Sequence, residues 1–192
     1  MPISGSANLI THEGCGGGCT EREEGCRCTS LCEKTAPVLL LALGNPLMSD
    51  DGAGQQLLSK LQSEAPAWAS RVEFMDGGTQ GLALLGQFDG RKAVVFLDAV
   101  RLGDQAGAVH VLQGNELARL GGKATSAHEG SAPQILAALQ LLGEVPGEVA
   151  MIGIEPDEIR TGMDLSAPVE ASLGVAATFA RMTVNNVLAR IE

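Results

Sequence analysis

Six apolar residues in succession, Val38-Leu39-Leu40-Leu41-Ala42-Leu43, stop abruptly at Gly44-Asn45-Pro46. The run is too short to span a membrane and lacks the alternation of a half-exposed strand. Bounded by turn residues, it predicts a strand buried on both faces, as in a parallel sheet. Ala93-Val94-Val95-Phe96-Leu97 repeats the pattern and runs into Asp98. Between and after these runs, strand and helix patterns alternate. Leu57, Leu58 and Leu61 take helical spacing after Gly54. Val72 to Met75 reads as a short strand ending at Asp76-Gly77-Gly78, with Thr79 placed to cap a helix that carries Leu82, Leu84 and Leu85. Val109 to Leu112 and Val149 to Ile154 read as further strands, and Ile135, Leu136, Leu139 and Leu142 as a helix. A last helix opens near Pro168. It buries Val169, Leu173, Ala176, Ala180, Val184, Val187 and Ile191 at three-or-four spacing. The alternation implies an α/β domain with a mostly parallel sheet covered on both faces.

A chain of 192 residues holds one such domain plus an appendage. With four Phe, one Trp and no Tyr, the core has to be built from Leu, Val, Ile, Ala and Met. The net charge of -10 argues against a nucleic-acid or anionic-membrane partner, each of which wants a basic face. No apolar run spans a membrane, and the polar, glycine-rich start lacks the apolar stretch of a secretory signal. The expected setting is the cytoplasm. The composition changes near Lys34, dividing the chain into a Cys-rich extension, 1–35, and a domain over 36–192. Cys15, Cys19, Cys26, Cys28 and Cys32 are the only cysteines, so the domain owns neither a disulfide nor a thiol nucleophile. Clustered cytosolic cysteines point to metal, zinc or an iron–sulfur centre. Their CxxxC, CxC and CxxxC spacings match no common ligand motif, and a redox-sensitive tail is the competing reading.

Ligands of open α/β sheets bind beyond the carboxyl ends of the strands. That rule gathers the loop Gly44–Gly54 with its pair Asp50-Asp51, the strand-end Asp98, and the polar loop Ser126-Ala127-His128-Glu129-Gly130. Two carboxylates and a histidine there are able to hold a divalent metal and leave positions open for water or substrate. Each residue also has a structural reading. A strand-end Asp caps the next helix or turn, and a loop His is commonly just solvated. Of the adjacent pair, one carboxylate is free to cap while the other faces the cleft, and spacing does not say which. Gly44, Gly52 and Gly54 suit a tight turn and close helix-to-strand packing. They do not have GxGxxG spacing, so a dinucleotide site is not expected.

The run Leu43-Gly44-Asn45-Pro46-Leu47-Met48-Ser49-Asp50-Asp51-Gly52-Ala53-Gly54 resembles the opening motif of hydrogenase maturation proteases. The resemblance continues in order through Asp76-Gly77-Gly78-Thr79, Leu97-Asp98-Ala99, Ser126-Ala127-His128 and Ile152-Gly153-Ile154-Glu155-Pro156. It implies an endopeptidase that removes the C-terminal extension of the nickel–iron hydrogenase large-subunit precursor after nickel insertion. It also implies a three-layer α/β/α sandwich of phosphorylase/hydrolase-like type around a mostly parallel twisted sheet, usually as a monomer. Carried over residue by residue, it makes Asp51, Asp98 and His128 the metal-facing set, although many members have Glu where this chain has Asp51. Nickel, carried by the precursor, then either polarises the scissile carbonyl or activates water. Alternatively it serves recognition only, and Asp50 or Asp51 activates the water. Gly77 and Gly78 either offer backbone N–H groups to a substrate strand or form a simple turn. Two other functions compete. One is a nickel-binding chaperone that does not cut. The other is a peptidyl-tRNA hydrolase, which shares Gly44-Asn45-Pro46 but continues with Tyr and Thr-Arg-His-Asn, absent here.

Overall fold

The computed structural model describes residues 35–64, 68–114, 116–117 and 130–191, all within the unit Lys34–Glu192. The five cysteines, Ser126, Ala127 and His128 lie outside the described residues. Among the described residues five strands are formed: β1 (Val38–Leu43), β2 (Val72–Gly78), β3 (Ala93–Ala99), β4 (Val109–Gln113) and β5 (Glu148–Ile154). They pair in the order β2-β1-β3-β5-β4. Both continuous apolar runs are interior strands, and every residue of β1 and β3 is buried. β1, β2, β3 and β5 run parallel, while β4 is antiparallel to β5. The sheet is therefore mixed and mostly parallel. The reversal has a simple cause. The link 100–108 between β3 and β4 contains no helix to carry the chain back across the sheet, so β4 starts at the edge where β3 ended.

Alternate strand residues feed two cores. Leu40, Ala42, Val95, Leu97 and Ile152 pack with α1 (Ala53–Glu64) and the long C-terminal helix α3 (Ala167–Ile191). Leu39, Leu41, Leu43, Phe96 and Met151 pack on the other face with α2 (Ala132–Leu142) and the 3-10 segment Gly81–Phe88. α3 buries Val169, Ala176, Ala180, Val184 and Val187 as expected, with Leu173 and Ile191 at the margin of the core. No helix among the described residues is long and apolar enough to cross a membrane.

Three local expectations are corrected. β2 continues past Met75 to Gly78, because pairing with β1 persists through an irregularity at Ala42/Leu43 to join Leu43 with Gly78. Thr79 caps no α-helix. The segment carrying Leu82, Leu84 and Leu85 is a 3-10 helix preceded by Gln80, with Gly81 at its start taking a positive φ of 55°. Leu142 faces solvent rather than the core. The buried stripe of α2 (Ala132, Ile135, Leu136, Leu139) is already complete when Gly143, in the left-handed conformation, ends the helix.

Candidate active site

The loop between β1 and α1 folds back on itself through its glycines. Gly44 has φ +119°, and a Cβ there would overlap the carbonyl oxygen of Asp51. At Gly54 a Cβ would lie 2.5 Å from the carbonyl oxygen of Leu97 and 2.6 Å from that of Leu43. Only glycine lets the start of α1 sit this closely on the ends of two strands. The short 3-10 turn Ser49–Gly52 is thereby pressed against the ends of β1 and β3. Asp51 on that turn and Asp98, the residue after Leu97, share one carboxyl edge of neighbouring strands.

Both carboxylates are 2% exposed. The Oδ2 atom of Asp51 accepts the N–H of Asn45 at 2.8 Å. Asp98 lies inside β3, directly across from Gly153, and no helix follows it in the link 100–108, so it caps no helix there. The same row continues from Gly153 to His110 on β4. Paired residues direct their side chains to one face of a sheet, so Asp98 and His110 flank Gly153, over which Val100 is packed. His110 Nε2 lies 3.7 Å from Glu155 Oε2. Glu155 is buried and accepts the N–H groups of Leu102 (2.8 Å) and Gly103 (3.2 Å), fixing the link that leaves β3 just after Asp98. Sequence reasoning missed both residues as parts of the site. Glu155 appeared only within a motif, and the pairing of His110 arises from sheet register that no local spacing announces.

Asp50 proves to be the bracing member of its pair. It is fully buried. Its Oδ2 accepts from the N–H groups of Asp157 (2.9 Å) and Glu158 (3.0 Å) and from Ser166 Oγ (2.8 Å), while Oδ1 accepts the N–H of Ser166 at 2.7 Å. It therefore holds not the helix that follows it but the segment 157–166 ahead of α3. Neighbouring bonds complete the joint. Ser49, the one non-glycine with positive φ among the described residues, donates its N–H to the Gly162 carbonyl at 2.7 Å. Its hydroxyl donates to the Asp164 carbonyl at 3.0 Å, and Gly162 N–H donates to the Leu47 carbonyl at 3.0 Å.

On the β2 side, Gln55 Nε2 donates to the Gly44 carbonyl (2.8 Å) and to Asp76 Oδ1 (3.2 Å). A glutamine in the first turn of a helix gives no sequence signal for this role. The N–H of Gly78, one of those considered for a substrate strand, here donates to Asp76 Oδ1 at 3.0 Å, and Gly44 N–H donates to the Gly78 carbonyl at 3.1 Å. Among the described residues no three His, Cys, Asp or Glu side chains gather as a metal site. The third expected member, His128, is outside those residues.

A family model described as HycI, hydrogenase maturation protease, matches residues 56–180. That span includes Asp98 and His128 and begins just after Asp51. The hydrogenase expression/formation protein HoxM of Azotobacter vinelandii is 34% identical over 142 residues, covering 72% of this chain and 68% of HoxM. Among solved structures, the hydrogenase maturating endopeptidase HybD from E. coli superposes with a TM-score of 0.69 at 28% identity, covering 78% of this chain and 92% of that one. The [NiFe] hydrogenase maturation protease HybD from Thermococcus kodakarensis gives a TM-score of 0.62 at 31% identity, with 76% and 97% covered. With a strand order and glycine-packed first loop that set two buried carboxylates at one edge, and with this match over most of the domain, the chain belongs to the hydrogenase maturation protease family and is an endopeptidase, a peptide-bond hydrolase.

Proposed function

We propose that the enzyme removes the C-terminal extension of a nickel–iron hydrogenase large-subunit precursor once nickel has been inserted, and that the nickel is read as part of the substrate. The observation that carries this is the burial of Asp51 and Asp98 at one carboxyl edge of β1 and β3. Carboxylates held where strands of an open α/β sheet end are placed to meet a ligand, and hard oxygen donors of this kind suit a divalent cation that arrives with the precursor. Asp51, Asp98 and His128 form the docking set, with His128 assigned from the family motif.

Cleavage adds water to the scissile carbonyl, and the C–N bond then breaks as the departing nitrogen takes a proton. The docked nickel supplies charge to polarise that carbonyl or to acidify the water. Of the two carboxylates considered as a base, Asp51 is the better placed, since Asp50 already accepts four hydrogen bonds from the 157–166 segment. We read the helix layers on both sheet faces as the family's three-layer sandwich, acting as a cytoplasmic monomer.

The test is His128→Ala, assayed with nickel-loaded precursor on a gel that resolves the shortened product. Processing is expected to fall by roughly a hundredfold or more, on the scale of removing one preorganised group from a transition state, with circular dichroism unchanged. Full processing by this variant would take His128 out of the site.

A further inference from the structure

We propose that the cleft between the segment Thr79–Leu82 and the outer face of α2 is a specificity subsite that seats a short apolar stretch of the excised extension. The inference rests on the endopeptidase reading above and adds where the leaving peptide lies. The cleft has a volume of about 580 Å³, within the range of ~300–1,000 Å³ of cavities that hold small ligands. None of the described residues lining it is charged, in a chain whose net charge is -10, and such a lining suits an uncharged occupant.

The walls are built to receive side chains rather than to be filled. α2 turns Ile135, Leu136 and Leu139 into the core, while Ala137, Ala138 and Leu141 line the cleft from its other side. Small residues keep the cleft deep. Gly81 and Gly130 abut so closely that a Cβ on Gly130 would overlap the Gly81 backbone, and Gly130 N–H is tied to Gln134 Oε1 at 2.7 Å. Two large apolar side chains flank it in the open, Leu82 at 56% and Leu141 at 90% exposure. Apolar surface concentrated around a concave site marks a binding face.

Hydrogen bonds connect the cleft to the carboxylate edge. Thr79 on its rim follows Gly78, whose carbonyl takes the Gly44 N–H, and Gly44 is packed on the backbone of Asp51. The rim of the cleft is thereby joined, through Gly78 and Gly44, to the loop that carries Asp51. Residues upstream of the scissile bond stay with the nickel and the folded large subunit. The extension downstream is the part at liberty to enter a cleft, and it is our chosen occupant.

The experiment compares full-length enzyme with Ala138→Phe, which projects a ring into the cleft, on nickel-loaded precursor in steady-state processing. KM is expected to rise about tenfold or more, the scale of discrimination an apolar pocket gives, with kcat within twofold and an unchanged melting temperature. A precursor whose extension has its apolar residues replaced by Ser should raise KM for the wild-type enzyme by a similar factor. It should add little further in Ala138→Phe, because the two changes remove the same contact. Should Ala138→Phe fold poorly, Leu141→Asn, at a side chain clear of the core, is expected to raise KM at least threefold. Wild-type cutting with unchanged KM in both variants would overturn the subsite alone. Absence of cutting by the wild type would overturn the endopeptidase reading and the subsite with it.

Discussion

Asp98→Asn is expected to lower processing of the nickel-loaded precursor by about three orders of magnitude, and Asp51→Asn to do the same, with the fold intact in both. The size follows from what each carboxylate is asked to supply. Charge stabilisation at a metal-assisted hydrolysis is worth several kcal/mol, and each 1.36 kcal/mol is about tenfold in rate. The fold survives because Asn matches Asp in shape and retains an acceptor. At residue 51 that acceptor still takes the Asn45 N–H now bound by Oδ2, so stability should change by about 1 kcal/mol. Single-turnover processing together with thermal melts separates the two effects. If either variant processes within tenfold of wild type, its carboxylate has no part in the chemistry.

Asp50→Ala is expected to produce the largest loss of stability of any single change at the site, about 3–5 kcal/mol. Four donors that now meet one carboxylate would be left facing a methyl group, and each buried donor without an acceptor costs about 1–3 kcal/mol before relaxation. Asp50→Asn is milder, near 2 kcal/mol. Its oxygen takes the place of Oδ2 and keeps the bonds from Asp157, Glu158 and the Ser166 hydroxyl, but its NH2 then confronts the Ser166 N–H. Activity should fall in both, since the segment 157–166 and the turn carrying Asp51 are held through this residue. Equilibrium urea unfolding reads the order wild type, Asn, Ala. An Ala variant as stable as wild type would contradict the bracing role.

The central strands were legible because six apolar residues without alternation have only one comfortable place in an α/β domain, and β1 and β3 occupy it. The reversed β4 was not, since a strand's direction depends on the link before it rather than on its own residues. The 3-10 segment after β2 escaped because its leucines carry the same spacing an α-helix would use.

The candidate site divides in the same way. Asp51 and Asp98 are marked by their places at strand ends, and the glycines between them by the tight turn they permit. The distinction between Asp50 and Asp51 was not in the spacing. It needs partners more than a hundred residues away in sequence, Asp157, Glu158 and Ser166. His110 and Glu155 stayed hidden for a related reason: one is placed by register across Gly153, the other by two backbone N–H groups in a link. The peptidyl-tRNA hydrolase alternative rested on Gly44-Asn45-Pro46, three residues that make the first turn of the loop. The family match over 56–180 leaves those residues as a shared way to turn a chain off a parallel strand.

The central claim is that two buried carboxylates read nickel carried by a protein substrate and cut the chain beside it. Intact mass spectrometry of the large-subunit precursor, incubated with this enzyme with and without prior nickel loading, tests it most directly. The loaded precursor should lose the mass of its C-terminal extension in a single step, and the nickel-free precursor should keep its full mass. Equal shortening of both, or of neither, would contradict it.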